Sequence, residues 1–578
     1  MTPPGTNDRA GEWKESVAEP VRSTEQPVPL TAAQKAIWFA QLLSPEVPFA
    51  IAQYTELHGE VNLPLLRAAT QRAHRELGVG SARLVEGDEE PLLLVTDAVT
   101  VPVAVHDLRG EGNPVQAAHA WMRAEGESAF DIHDEHLVRL SILRLSDDHS
   151  YWYSRAHHIA LDGYGAMQLI SRTAELYVAA IERREPPERS AATARQLLDE
   201  DLRYARSTRR ERDRDFWLGA AAEVPHPTSL GGGGAQPGMT VHRVGAPVPR
   251  HHAARFGRGG LRSAAEIIAA FGAFLALMTG SDDILLSLPV SARTSAVLRN
   301  AAGSVSNVLP LRLRRVRTAT VGPALRNTAA TLTAVLRHQR YRREDIGRNL
   351  GSGSLDPAQF GPVINLMMFN QEISLGDVAG RVHVLSTGPI ADLSVNVYPG
   401  SADSLPRIDF EGNSAVYGES ELAAHHRRFM AFLRTFTTAH PSTAIADLDL
   451  FHPGERTDSA PARGAADRPP TTLDQLLTPA AVRSPDAVAL HSADGALTYG
   501  ELDRRSNQVA RALIARGAGP ETQVAVAVPR SVESVVALWA VAKTGAAYVP
   551  IDPCHPVDRV AFTLSLIFNL GRRPRRVF

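Results

Sequence analysis

The sequence predicts an α/β protein made of more than one folded unit, and three observations carry that expectation. Two-residue apolar alternation is interleaved with three- and four-residue spacing: HLVRLSILRLSDDHSYWYSRA (136–156) alternates, and the residues after it, Tyr164, Met167, Ile170, Ala174, Tyr177 and Ile181, follow a helical period. At 578 residues the chain is about twice the size at which one hydrophobic core stops growing. Two stretches, LGGGGAQPG (230–238) and PGERTDSAPARGAADRPP (453–470), show no apolar period and read as breaks.

In chain order, residues 1–27 are polar and rich in Pro, Glu and Thr, with too little apolar surface to offset the entropy of ordering them, so a disordered tail is expected. Residues 28–452 read as a globular region. Four consecutive glycines sustain neither helix nor strand, so they divide it into halves of about 28–229 and 239–452. Residues 453–470 read as a flexible linker. Between 471 and 565, the helical ELDRRSNQVARALIARG alternates with the short apolar runs QVAVAVP and AYVPI, a second α/β pattern. The last stretch, LIFNLGRRPRRVF (566–578), is basic and continues neither period; it is expected to be an aberrant tail on an incomplete domain.

Composition narrows the function classes. A formal charge of −2 with 21% charged residues leaves no basic excess for nucleic acid. No run of 18 uninterrupted apolar residues is present, and MTPPGTNDRAGEWKES lacks the basic start and apolar core of a signal peptide, so a cytoplasmic protein without a membrane partner is expected. The single cysteine, Cys554, excludes an intrachain disulfide and any multi-cysteine metal site. No metal ligand set and no directly bound cofactor are expected.

The stretch with chemical content is HHIALDG, His157 to Gly163, at the junction between the alternating run and the helical one. A strand-to-helix loop can hold an imidazole beside the backbone N–H groups and positive end of a helix, a pairing suited to proton transfer next to a developing oxyanion. Taken alone, the motif is better explained by two histidines ending a strand and an aspartate capping a helix. A second pair, His425 and His426 in ELAAHHRRFM, has no Asp-Gly after it and is expected on a solvated helix face.

The surroundings of the first pair resemble the condensation domain of nonribosomal peptide synthetases over roughly Pro29 to His452. The family signature HHxxxDG is complete as His157, His158, Asp162 and Gly163. Further family blocks follow in order: PLTAAQKAIWFAQ (29–41), RAHREL (72–77), DLRYARSTRRERDRDFW (201–217), SLPVSART (287–294), GSVSNVLPLRLR (303–314), LRHQRYRREDI (336–346) and FGPVINLMMFN (360–370). One departure is Gly78-Val79, where the family has Arg-Thr.

The resemblance implies two chloramphenicol-acetyltransferase-like αβ lobes in a V-shaped pseudo-dimer, with the signature at the floor between them. It implies amide formation between an acyl thioester on an upstream carrier protein and the amine of an aminoacyl thioester on a downstream peptidyl carrier, both held on 4'-phosphopantetheine. A thioester is already activated, which fits the absence of a GxSxG nucleophile. His158 is expected to accept the amine proton or stabilise the charge that develops, since an unperturbed imidazole titrates near ~6.5. His157 is expected to be mainly structural, Gly163 to permit close backbone approach at the oxyanion side, and Asp162 to pair with Arg293 rather than orient a base.

The second unit resembles the start of an adenylation domain, through ALTYGEL (496–502) and VAKTGAAYVPIDPCHPVDRV (541–560). The family's phosphate loop, ribose-binding carboxylate and catalytic lysine would lie beyond Leu564, so no use of ATP and Mg²⁺ is expected. With only a polar tail before Pro29, the donor carrier is expected to act in trans. STGPIADLSVNVYPG (386–400) and FGPVINLMMFN look most like enterobactin-type synthetases, which implies an aryl donor, with Met367, Met368 and Phe369 as adaptable contacts. Aminoacyl and fatty-acyl donors are the alternatives. Two other readings stay open: an epimerisation domain, which shares HHxxxDG but follows a carrier, and a non-catalytic module that only docks carriers.

Overall fold

The computed structural model describes residues 26–569 except 97–99, 129, 131, 133–135, 221–226, 233–237, 239, 250–259, 350–359, 368, 370, 401–404, 453–454, 456–470 and 493–494. The expected tail, most of the linker, residues 570–578 and Met368 therefore lie outside the described residues. The chain falls into two compact units, divided at Arg456/Thr457.

The first unit is organised on two six-stranded sheets. One runs Glu372–Leu375, Val378–Ser386, Ala50–His58, His149–His157, Val138–Arg144, Val103–Asp107, antiparallel throughout except for the last pair. The other runs Asn307–Leu313, Ile284–Val290, Val363–Leu366, Leu393–Tyr398, Arg407–Asn413, Val241–Pro247, with Val363–Leu366 parallel to both neighbours. Each sheet is half of an αβ lobe.

In the first lobe, helices Leu63–Glu76 and Gly163–Ile181 pack together beside that sheet, burying Leu66, Ala73, Leu169, Leu176 and Tyr177. The helix Leu63–Glu76 shows why the Gly78 departure is tolerated. Gly78 takes φ +64° just past the helix end, a left-handed conformation that arginine adopts only under strain. In the second lobe, Leu261–Thr279 is the one helix among the described residues long and apolar enough to cross a membrane. It is a core helix here, with Phe271 and Phe274 wholly buried, and it packs against Val321–Arg337 and Glu419–Thr438.

Two expectations need correction. A cut at the glycine run does not sort the strands: Glu372–Leu375 and Val378–Ser386 come from the second half of the chain yet join the first sheet, where Val378–Ser386 pairs with Ala50–His58. Without them the nine-residue strand Ala50–His58 would be an edge with a full row of unpaired amides. His425 and His426 are not solvated. They occupy the three- and four-spaced stripe Leu422, His425, His426, Phe429, Phe432, Leu433, Phe436 of Glu419–Thr438, and that stripe is the buried one. His426 Nε2 meets the Ile408 carbonyl at 3.0 Å, which lets a polar ring sit there.

The second unit has a hairpin, Val488–Ser492 with Gly495–Thr498, and a parallel pair, Gln523–Val526 with Ala547–Pro550. Helices Tyr499–Ala515 and Val532–Thr544 pack on each other. Thr498 and Glu501 close the first of these helices with a capping box, and Gly545 ends the second at φ +75°.

Candidate functional site

The loop 158–162 leaves a strand of the first sheet and reaches Arg293, Val305 and Ser306, which flank strands of the second, and each of its ends is fixed for a local reason. Strand His149–His157 ends where the chain turns back on itself, the Ala160 and Leu161 N–H groups donating to the His157 carbonyl at 3.0 and 3.3 Å. Helix Gly163–Ile181 starts because Asp162, in extended conformation, accepts the Gly165 N–H on Oδ1 at 2.9 Å as N-cap.

His157 is wholly buried. Its Nδ1 accepts the Ile159 N–H at 3.2 Å, so its Nε2 carries the proton and donates to Gln41 Oε1 at 3.1 Å. Burial pushes its pKa down to about 3, with the neighbouring charges of His158 and Arg155 acting in the same direction. A ring locked at both nitrogens and held neutral orients the loop and has no lone pair to offer a substrate. His158, the next residue, is half-buried, and its backbone N–H donates to the Phe49 carbonyl at 2.7 Å. Its Nε2 lies 3.2 Å from the Thr387 carbonyl, on the segment that follows strand Val378–Ser386. Burial lowers its pKa, and the Thr387 carbonyl and the Asp162 charge offset this only in part. Facing a carbonyl, Nε2 donates, so the ring, neutral near pH 7, keeps its lone pair on Nδ1, and it also meets the Leu161 backbone.

Gly388 adjoins this contact at φ +108°, and a Cβ there would lie 3.2 Å from His158 Nε2. The crossing of the second half of the chain into the first sheet is what brings Thr387 and Gly388 to the histidine.

Asp162 is the most constrained group of the loop. Its carboxylate is 1% exposed and takes Arg293 in a two-pronged pair, Nη1 to Oδ2 at 2.8 Å and Nη2 to Oδ1 at 2.9 Å. Oδ2 also accepts the N–H groups of Val305 and Ser306 at 2.9 Å each. Burial alone would raise this carboxyl's pKa; the Arg293 charge and the hydrogen bonds outweigh it and hold the pKa below the usual carboxylate value. Arg293 is satisfied in turn by the carbonyls of Ser291, Ala301 and Gly303 and lies 4.3 Å under the Tyr164 ring. The pair thus joins the start of a first-lobe helix to second-lobe loops, and with every oxygen engaged Asp162 has no capacity left to act as a base.

The two glycines of the loop differ. A Cβ on Gly163 would meet no protein atom within 4 Å, so the protein itself does not require glycine there. A Cβ on Gly165 would fall 1.7 Å from the Ala302 carbonyl oxygen, so it is Gly165 that permits close approach of the second lobe.

The sequence agrees with this geometry. Residues 24–458 match the condensation-domain family, three quarters of the chain. The chain belongs to that family. Residues 477–567 match the AMP-binding enzyme family. The chain is 34% identical over 545 residues to a dimodular nonribosomal peptide synthase of Bacillus subtilis and 30% identical over 563 residues to enterobactin synthase component F of Escherichia coli. Both alignments cover 93% of this chain but only 23% and 42% of those relatives, so it spans less than half of either. Among solved structures it is similar to the starter condensation domain of rhizomide synthetase in complex with C8-CoA, at 31% identity and TM-score 0.69 over 73% of this chain and 98% of that one. It is also similar to the first condensation domain of the calcium-dependent antibiotic synthetase, at 28% identity and TM-score 0.67 over 74% and 100%. Condensation domains are the acyl-transferring, peptide-bond-forming units of nonribosomal peptide synthetases, and they work with carrier proteins.

The condensation-domain signature is supported here by two residues that sequence reasoning passed over. Gln34 and Gln41 lie one heptad apart on helix Ala32–Leu43; Gln34 Nε2 donates to the Ile159 carbonyl at 3.1 Å and Gln41 accepts from His157. Their seven-residue spacing was the available signal, since it puts both amides on one helix face. Met367 is buried next to strand Val363–Leu366 and gives its N–H to the Val397 carbonyl, while Phe369 is half-buried. A cavity of about 30 Å³ lined by Thr31, Asp201, Ser304, Arg340 and Arg342 shares Val305 with the Asp162 anchor; His158 is not among its walls.

Proposed function

We propose that residues 28–452 join an acyl thioester on an upstream carrier protein to the amine of an aminoacyl thioester on a downstream peptidyl carrier. The observation that carries this is a neutral His158 beside an Asp162–Arg293 anchor that is fully engaged. Attack of the amine on the thioester carbonyl forms the C–N bond and leaves a positive nitrogen and a negative oxygen. The His158 lone pair takes a proton from the nitrogen or stabilises its charge, and the thiol of the donor phosphopantetheine leaves with a proton. His157, Gln34 and Gln41 hold the loop, and Asp162 with Arg293 keeps the lobes in register.

The reading assigns no step to residues 471–565, no bound cofactor or metal to the reaction itself, and a cytoplasmic location in which loaded carriers meet the enzyme. For the donor, we favour an aryl acid of siderophore type. Support comes from the similarity to enterobactin synthase component F and from Met367 and Phe369, adaptable apolar side chains just after strand Val363–Leu366. A fatty-acyl donor is the second reading, because the starter condensation domain described above is bound to C8-CoA.

The test presents the chain with aryl-, fatty-acyl- and aminoacyl-loaded carriers against one aminoacyl acceptor carrier. Amide product that disappears in His158→Ala supports the reaction. Condensation of the aminoacyl donor but not the aryl donor removes the siderophore reading, and no product with any donor leaves a module that only docks carriers.

A further inference from the structure

The first sheet carries a cluster that the reaction does not use. Strand pairing sets His58 directly opposite His149, and Glu56 opposite Tyr151, so Glu56, His58 and His149 share one face of the sheet. On the other side of Ala50–His58, Tyr54 is opposite His383, which brings a third imidazole to the same carboxylate. Glu56 Oε1 is 3.0 Å from His149 Nε2 and 3.5 Å from His58 Nε2, and Glu56 Oε2 is 3.0 Å from His383 Nε2.

We propose that Glu56, His58 and His149 form a site for a divalent transition-metal ion, Zn²⁺ in the first instance, with His383 orienting the carboxylate.

Three donor atoms, two imidazole Nε2 and one carboxylate oxygen, lie within 4.8 Å of one another, and no other group of three such residues was found among the described residues. Ligands at ~2.0–2.1 Å around a tetrahedral zinc are about 3.3 Å apart, so Glu56 Oε1 and His149 Nε2, at 3.0 Å, would open slightly and the widest pair, within 4.8 Å, would close. Two imidazoles and a carboxylate suit Zn²⁺ and disfavour Ca²⁺ or Mg²⁺, which prefer all-oxygen shells.

Binding would turn the exposed His58 ring, because two rings stacked with near-parallel planes do not both aim Nε2 at one ion, while His149 and His383 stay hydrogen-bonded to Glu56. His58 and His149 stack at 4.5 Å with planes 16° apart, and His383 stacks on Tyr54 at 4.7 Å and 9°. His383 bonds the carboxylate oxygen that would not be on the metal, as outer partners do in metal sites. The His58 side chain is 62% exposed, which opens the site to solvent and leaves a position for water.

The cluster lies eight residues from His157 along the same strand, about 26 Å away at ~3.3 Å per residue. The ion would therefore act as a cross-strand staple, tying the 144–149 hairpin to Ala50–His58 far from the condensation chemistry. Because the residues come from positions 56, 58, 149 and 383, sequence spacing shows only the Glu-x-His pair.

The test uses the full 578-residue chain with Cys554→Ser to remove the only thiol. After chelator stripping, Zn²⁺ titration by calorimetry should show one saturable equivalent and a raised thermal midpoint. Co²⁺ should give the visible absorption of a tetrahedral nitrogen and oxygen site. His383→Ala should weaken binding by about 10- to 100-fold, as loss of an outer partner does, and His58→Ala or His149→Ala should weaken it more. His58 is largely exposed, so its replacement leaves the fold intact and a loss of binding reports a lost ligand. Absence of a stoichiometric equivalent, or wild-type affinity retained in His58→Ala or in His149→Ala, would overturn the proposal and leave a hydrogen-bonded His–Glu network.

Discussion

Breaking the Asp162–Arg293 pair tests how the site is held together. Both side chains are 1% exposed, so water cannot compensate a lost partner. Arg293→Met leaves the carboxylate with three backbone N–H donors, from Gly165, Val305 and Ser306. Asp162→Ala leaves the guanidinium with only carbonyls and the Tyr164 ring. Removing one partner of a buried pair costs about 3–5 kcal/mol; the surviving N–H donors put Arg293→Met at the lower end and Asp162→Ala at the upper.

The double variant should cost less than the sum by about 2–3 kcal/mol. Guanidinium unfolding of the wild type, both single variants and the double variant measures the coupling. Costs that add to within about 0.5 kcal/mol would show that the two groups do not interact energetically. The pair also has a pH signature. The folded Asp162 pKa is below its unfolded value of 3.8, so the stabilisation is complete above pH 3.8 and is lost as pH falls through the lower folded pKa. Asp162→Asn should remove that acid-side loss.

His158→Ala should lower amide formation by about 10²-fold or more with an unchanged thermal midpoint, whereas His157→Ala should cost about 1–3 kcal/mol by stranding the Ile159 N–H, since Gln41 Oε1 keeps the Phe49 N–H; wild-type turnover in the first would exclude His158 from the chemistry. Below pH 6.5 the unfolded His157 takes up a proton that the folded ring, at about 3, refuses, so stability falls from pH 6.5 toward 3 and this slope should shrink in His157→Gln. Gly165→Ala should cost about 3 kcal/mol, the upper part of the overpacking range, because its Cβ meets a backbone oxygen, while Gly163→Ala should unfold like the wild type; equal midpoints would contradict the packing. Gly388→Ala should displace His158 and cost about 10²-fold in turnover, with a smaller loss of stability; full activity would show that His158 does not depend on the Thr387 segment.

The amino-acid sequence by itself determined whatever is encoded in neighbouring residues. The switch from alternating to helical period at 157–163, Asp162 as a helix cap, the second α/β unit after 471 and the family blocks all depend on spacing within one or two turns or strands. Other features depended on which distant strands pair, and no local pattern specifies that. Residues 372–386 cross to the first sheet because Ala50–His58 needs a second partner, and only then do Thr387 and Gly388 reach His158 and His383 reach Glu56. His425 and His426 looked polar by composition, yet their positions lie on the stripe that faces the second sheet. Gly163 and Gly165 are equivalent letters until Ala302 from the other lobe comes within 1.7 Å of one Cβ position and of the other not at all. Sequence distance carries no information about such contacts; the tertiary fold decided them by bringing backbone from remote segments into register.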